Sequence, residues 1–295
     1  MPGRRLLSEG DYLDPRYGAS RPDWVRRRAV LRETLQRVST ADPANKYQLL
    51  AQANLKRWHD SRTTPFDAGD GISIIAGDWG EVTHAMTKLH GCCFAALNMA
   101  NAYVPGGAYV EGAPAQEENM FRRTDCHFSV GPEEYDGERN RYHPQMTSLL
   151  SAETGRVYLD TENPRVCIRG PEDRSRPDLG YPWLPEAEVF PFFELRSAAQ
   201  DCRNGALFSA SNARQRIAAQ LETLMAHRIR HVVFGASGCG AFENPTGQIA
   251  MLYREEIEKR RAEFHVIAFA IHQAGYGPDN LTPFRTIFSP SETGL

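Results

Sequence analysis

Cys92-Cys-Phe-Ala-Ala-Leu-Asn98-Met-Ala-Asn101-Ala-Tyr-Val-Pro105-Gly106-Gly107-Ala-Tyr-Val-Glu111-Gly112-Ala-Pro-Ala-Gln116-Glu117-Glu118 opens as an apolar run, breaks at a proline and two glycines, and ends in two adjacent carboxylates. A continuous apolar run suits a strand covered on both faces, the situation of a parallel sheet between helices. The strand aims its end at the glycine loop. Such a loop brings bare backbone amides against an anion and places an acid beside a bond to be cut.

Outward from this stretch, strands and helices alternate, the signature of a layered α/β sheet. On the N-terminal side Gly69-Asp70-Gly71 reads as a turn before a strand at Ile72-Ser-Ile-Ile-Ala76. On the C-terminal side, Glu188-Val-Phe-Pro-Phe-Phe-Glu-Leu195 reads as a strand that Pro191 breaks or confines to an edge. A helix is predicted over 212–226, with Ile217, Leu221, Leu224 and Met225 on one face. His231-Val-Val-Phe-Gly235 and Phe264-His-Val-Ile-Ala-Phe-Ala-Ile271 are further strands. Between them Asn244 and Pro245 suit the cap and first position of a helix continued by Ile249, Leu252, Tyr253 and Ile257.

Residues 1–70 are read as an N-terminal helical extension. Trp24, Leu31, Leu35 and Val38 share a helical face there, and Ser20 with Asp23 forms a capping box around Pro22. Residues 71–295 form the main domain, with an insertion at about 131–185 rich in Glu, Arg, Asp, Pro and Tyr. A hairpin is expected within it, pairing Gly155–Asp160 with Arg165–Arg169.

The 295 residues carry a formal charge of −3, which gives no global drive toward nucleic acid or an anionic membrane. No sequence-specific nucleic acid and no membrane are expected as partners. The six cysteines show no Cys-x-x-Cys pair and no zinc spacing with histidine, which points to reduced thiols. Met1-Pro-Gly-Arg-Arg lacks the apolar core of a signal peptide, so the expectation is a cytoplasmic monomer.

Two groups of residues carry chemistry. Gly235-Ala-Ser-Gly238-Cys-Gly240-Ala-Phe242 lies between a strand and a helix, where loop amides and a helix start bind phosphate. The same glycines would also serve a plain tight turn. Gln116-Glu117-Glu118 places two carboxylates side by side. Mutual repulsion and burial would raise one toward the range of a general acid while the other stays ionised to accept a ribose hydroxyl; a solvated helix start is the alternative. Arg122-Arg123 are read as capping or solvating that helix, and Tyr109 and Phe128 as lining a pocket or packing in the core.

In combination, Asn98-Met-Ala-Asn101, Pro105-Gly-Gly, Val-Glu-Gly-Ala and the later Gly-x-Ser-Gly-Cys-Gly-Ala-Phe resemble the macrodomain, a module that binds ADP-ribose. The order Gly106-Gly107-Ala108, seven intervening residues, Gln116-Glu117-Glu118 resembles bacterial-type poly(ADP-ribose) glycohydrolases. Ser197-Ala-Ala199 and Ala270-Ile271 add to the match, which spans about Asn98 to Phe288 and extends more weakly into the N-terminal helices.

The resemblance implies a three-layer α/β/α mixed sheet, an ADP-ribosyl glycohydrolase, and no cofactor or metal. By the same resemblance Glu118 would be the catalytic acid, with Glu117 orienting the ribose and Asn101 bonding its hydroxyls. Gly106 and Gly107 would approach the diphosphate, opposed by Ser237, Gly238, Cys239, Gly240 and Ala241. Phe242 would pack on the distal ribose and Asp78 would reach the adenine amino group. Gln116 and Glu111 complete the set, Glu111 as a reserve acid near where mono-ADP-ribose macrodomains carry an aspartate.

Val104 and Ala108 depart from the family's usual asparagine and third glycine. The partner is therefore ADP-ribose in poly(ADP-ribose) or on a protein, with an arginine of ubiquitin as one alternative. A non-catalytic ADP-ribose reader and a phosphatase using Cys239 as nucleophile are the rival readings.

Overall fold

The computed structural model describes residues 3–6, 21–41, 45–62, 71–273 and 277–289. Ser20 of the expected capping box and Gly69-Asp70 of the expected turn lie outside the described residues. Two helices come first, α1 (Pro22–Ala41) and α2 (Lys46–Asp60). They precede β1 (Ile72–Ala76), α3 (Trp79–His90), β2 (Ala95–Met99) and α4 (Gln116–Arg123). A small pair, β3 (Tyr135–Asp136) and β4 (Arg141–Tyr142), leads to α5 (Pro144–Leu150), β5 (Tyr158–Cys167) and β6 (Phe190–Ser197). The chain ends with α6 (Ala210–Ala226), β7 (His231–Phe234), α7 (Thr246–Glu258), β8 (Val266–Ile271) and α8 (Leu281–Phe288).

The main sheet is six-stranded in the order β1-β8-β7-β2-β6-β5, parallel except for β5, which runs against β6. Period-two alternation splits each buried strand between two cores. Ala95, Leu97, Val232, Phe234, Ile267 and Phe269 face one core, filled by Ile217 and Leu221 of α6, Tyr253 of α7 and Phe284 of α8. Val233, Ala268 and Ala270 face the other side with Val82 of α3. Ala96 and Phe192 meet Leu31 and Leu35 of α1, Trp58 of α2 and Met120 and Phe121 of α4. The expected three-layer α/β/α arrangement follows from this two-sided burial.

The expected hairpin at 155–169 is instead one strand. β5 continues through a register shift between Asp160 and Arg165, and its partner throughout is β6. Nor does Pro191 place its strand at an edge. It sits opposite Val166, while pairing with β2 begins only at Phe193, so its missing N–H leaves no gap in that ladder. The helix after the second glycine loop starts at Thr246 and takes Pro245 as its N-cap, so Asn244 is not the cap. Its side-chain amide instead donates to the carbonyls of Gln200, Gly238 and Phe242 at 2.7, 3.1 and 3.2 Å.

One buried ionic cluster ties the 131–185 segment to the sheet. Glu194 and Arg196, both on β6, are fully buried, with Arg196 Nε 3.0 Å from Glu194 Oε1. Asn98 Nδ2 of β2 donates to the same oxygen at 2.8 Å. Arg196 continues to Glu134 at 2.9 Å and Ser129 at 3.1 Å, and its guanidinium lies 4.1 Å from the Tyr158 ring centre. Removing one partner of such a cluster strands the others in low dielectric. Arg196→Ala is predicted to destabilise the protein by about 3–5 kcal/mol, read from the midpoint of chemical unfolding.

Candidate active site

The C-terminal ends of the parallel strands open into a cavity of about 630 Å³, within the size range of sites that enclose a small organic ligand. Leu97 and Met99 of β2, Phe234 of β7 and Ile271 of β8 form its floor. Asn101, Ala108 and residues 113–119 wall one side, and Gly235, Ala236, Gly238, Gly240, Ala241 and Phe242 the other. Ligands bind at this edge of open α/β sheets because loops diverge there around bare backbone.

Gln116 fixes the acids in place. Its side-chain oxygen accepts from Met99 N and its amide donates to Leu97 O, both at 2.9 Å, so the first residue of α4 pairs with the end of β2 like an added strand residue. Gln116 therefore lines the cavity as a strut rather than as a free ligand contact. Glu117 Oε2 accepts from Asn101 N at 2.7 Å, and Glu118 Oε1 accepts from Ala108 N at 2.9 Å. Both carboxyls are buried, and among the described residues Glu117 Oε1 and Glu118 Oε2 have no partner.

Burial raises both acids above the ordinary carboxylate range. Glu117 is raised the further, because the Glu118 charge adds to its burial. Backbone donors at Ala108 oppose the rise of Glu118. In place of the expected one raised and one ordinary carboxylate, both carboxyls are raised, by burial above all.

The glycine loop serves the acids more than the cavity. Gly106 and Gly107 have positive φ of 69° and 59°, and neither lines the cavity. A Cβ on Gly106 would meet the Tyr109 ring at 2.5 Å, and one on Gly107 would collide with Glu118 Oε1 and lie 3.0 Å from Glu117 Oε2. Gly107 N is already given to Val104 O at 3.0 Å. Gly107 thus abuts the acids, and Gly106 abuts Tyr109 and Phe121. Ala108, where the family pattern has a third glycine, is not among the positive-φ residues, so its methyl needs no strained backbone.

The second loop divides its residues. Ser237 N bonds Gly235 O and Cys239 N bonds Ala236 O, and neither residue lines the cavity. Cys239 Sγ turns to Ser237 O at 3.6 Å, and burial pushes the thiol up to about 12. A thiolate nucleophile is thereby disfavoured near neutral pH. Gly238, Gly240, Ala241 and Phe242 remain on the cavity wall, with Gly238 at φ 75° and no room for a Cβ beside Ala199 at 2.5 Å.

Asp78 caps α3, accepting from Gly80 N at 2.9 Å and Glu81 N at 3.3 Å, and pairs with Arg123 through the same oxygen, Oδ1. It lines the cavity both as a turn residue and as a wall residue. Asn101 Oδ1 accepts from Tyr103 N and Val104 N at 2.8 and 3.0 Å, shaping the loop start. Glu111 is not on the cavity. Arg4 holds it through Nη2 to Oε1 at 2.7 Å and Nη1 to Oε2 at 3.2 Å, which removes it as a reserve acid. Tyr109 is a core residue, and Phe128 packs half-buried against the same core.

Arg122 and Arg123 do not solvate their helix; both are buried. Arg122 donates to Ala113 O at 2.7 Å and Tyr181 Oη at 3.0 Å, and Arg123 to Asn119 Oδ1 at 3.0 Å and Arg169 O at 3.1 Å. Residues missed in the sequence include Glu172, Arg174 and Arg203 on the cavity wall. Arg27 and Tyr181 hold the Glu172 carboxylate down to about 2 against its burial. Arg203 lies 4.9 Å from the Phe242 ring centre while bonding Asp201 at 2.8 Å. No spacing in the sequence marked these long-range neighbours.

The fold is macrodomain-like, the fold of solved poly(ADP-ribose) glycohydrolase (PARG) structures. Residues 28–150 match the sequence model of the family described as "Microbial-type PARG, catalytic domain", which bears out the resemblance read from the motifs. The match takes in most of α1, all of α2 and the acids, so the N-terminal helices carry more of the likeness than the motifs suggested. No curated protein matches the chain in sequence. Among solved structures, a PARG from Thermomonospora curvata superimposes with a TM-score of 0.61 at 21% identity, over 89% of this chain and 99% of that one. The same protein bound to the inhibitor ADP-HPD gives 0.60 at 21%, again over 89% and 99%. A PARG from Deinococcus radiodurans in complex with ADP-ribose gives 0.53 at 21%, over 83% and 92%.

Two predictions follow from the acid pair. Gly107→Ala should abolish ADP-ribose binding or turnover while leaving the circular dichroism spectrum unchanged, because the new methyl can only displace the carboxyls. Glu117→Gln should raise the thermal midpoint at about pH 7.5 but not at about pH 4. A raised carboxyl costs no stability where folded and unfolded forms are both protonated. Its cost appears as pH rises through the ordinary carboxylate value and is complete above the folded one.

Proposed function

We propose that the chain is an ADP-ribosyl glycohydrolase that cleaves the glycosidic bond at the anomeric carbon of ADP-ribose, with poly(ADP-ribose) as the favoured substrate. The observation that carries the reading is Glu118: a buried acid with one oxygen anchored by Ala108 N and the other unpartnered, on the wall of a cavity at the strand ends. The PARG-type sequence over residues 28–150 supports it.

In this reading the protonated Oε2 of Glu118 gives its proton to the leaving oxygen as the C–O bond breaks. Positive charge then develops on the ribose, where the anionic diphosphate and the newly formed Glu118 carboxylate offset it. The Glu118 carboxylate takes a proton from water as the water oxygen adds to the anomeric carbon, restoring the acid. Glu117 orients the ribose hydroxyls through Oε1, and the side-chain amide of Asn101 reaches the same hydroxyls. The wall from Gly238 to Phe242 holds the diphosphate and distal ribose, and Asp78 the adenine.

Glu118→Gln is predicted to lower the rate of ADP-ribose release by about 10²–10⁴ while ADP-ribose binding by calorimetry persists. Poly(ADP-ribose), Glu-linked and Arg-linked mono-ADP-ribosyl protein, ubiquitin included, are compared side by side. Release from the Arg-linked protein alone would move the substrate to mono-ADP-ribosyl-arginine. Binding without release from any of them would make the chain a reader.

A further inference from the structure

The Gly107–Ala108 peptide group is held from both sides. Its N–H donates to Glu118 Oε1 at 2.9 Å, and its carbonyl accepts from Arg4 Nη1. Arg4 is 5% exposed and is occupied at every position of its fork. Nε donates to Asn140 Oδ1 at 2.8 Å, Nη2 to Glu111 Oε1 at 2.7 Å, and Nη1 to Glu111 Oε2 at 3.2 Å as well as to the glycine carbonyl. Arg4 N also donates to Tyr109 Oη at 3.1 Å. A residue near the start of the chain thus joins the glycine loop, the 131–185 segment and the catalytic side of the molecule.

A guanidinium on a peptide carbonyl draws electron density toward the oxygen and makes the N–H of that peptide a stronger donor. Linked hydrogen bonds reinforce one another most where water is excluded. Here the N–H at the far end of the peptide grips the proposed acid. We infer that Arg4 is a positioning residue for this site: through one peptide group it fixes and polarises the amide that holds the Glu118 carboxylate. The inference rests on the glycohydrolase reading for its consequence to catalysis, though not for its electrostatics. Lysine could not replace the planar fork, which serves Gly107, Glu111 and Asn140 at once.

The charged groups that face Glu118 are Glu117 beside it on α4, Arg122 one turn along, Glu111 from the glycine loop, and Arg4 behind that loop. Burial raises Glu118 first of all, the Ala108 and Glu118 backbone amides and Arg122 lower it, and Glu111 raises it. Arg4 and Glu111 form an ion pair at 2.7 Å, so their direct fields at Glu118 have opposite signs. Removing either member exposes the field of the other, with opposite sign.

The test uses the full chain and the variants Arg4→Ala, Arg4→Lys and Glu111→Gln. The readout is the titration midpoint of Glu118, measured by carboxyl NMR on isotope-labelled glutamate and assigned by its loss in Glu118→Gln. The pH profile of kcat/KM is measured beside it. Arg4→Ala should raise the midpoint by about 1 pH unit and carry the Glu118 limb of the profile upward. Glu111→Gln should lower it, and Arg4→Lys should fall between Arg4→Ala and wild type. Should Arg4→Ala not fold, Arg4→Gln takes its place with the same expected sign. Both the arginine and the glutamate variant open the same ion pair and loosen the same loop, so a merely structural role would shift both in one direction. Shifts of equal sign, or none, overturn the inference. Wild-type protein that releases no ADP-ribose would instead defeat the glycohydrolase reading, and the NMR midpoints would still decide the role of Arg4.

Discussion

The structure turns on keeping two adjacent carboxyls out of water. Glu117 and Glu118 sit in the first turn of a short helix whose residues from Glu117 to Arg123 are all buried. A helix start favours negative charge, but burial in low dielectric opposes it. Among the described residues each acid has backbone donation to its carboxyl and one oxygen without a side-chain or backbone partner, a half-satisfied state that raises its affinity for a proton. Buried polar groups of this kind are costly, and they persist where chemistry needs them.

Much of the surrounding architecture is explained by that constraint. Gln116 splices α4 to the end of β2, so the acids move only with the sheet. Arg122 and Arg123 brace the far end of the same helix against Ala113, Tyr181 and Arg169. The Glu194–Arg196 cluster lies beneath, and both charges bear on Glu117 in opposite senses. Gly107, lacking a side chain, leaves the space into which the carboxyls project. The 131–185 segment contributes β5 to the sheet as well as Glu172 and Arg174 to the cavity wall.

The strands at Ile72–Ala76 and His231–Phe234 and the helices carrying Ile217 and Ile249 were legible because their apolar patterns are local. Pro191 and the 155–169 stretch were misread for a shared reason. Whether a proline or a turn-like sequence interrupts a strand depends on which neighbour pairs at that point. That neighbour, β2 in one case and β6 in the other, is remote in the chain. The same holds for Arg122 and Arg123. Charge suggests solvent exposure unless a partner such as Arg169 or Tyr181 is known.

The sequence by itself determined the layered α/β class, the two glycine loops at strand ends, and the adjacency of two acids after the first of them, since each depends on residue type and spacing along a short run. Only the tertiary structure decided what the loops do. It turned Gly107 toward the carboxyls and Gly106 toward Tyr109, took Ser237 and Cys239 out of the cavity, and set Arg4 behind the Gly107 carbonyl. Hydrogen-bond donors and acceptors are written in every peptide group, but which of them are free for a ligand depends on contacts between segments a hundred residues apart.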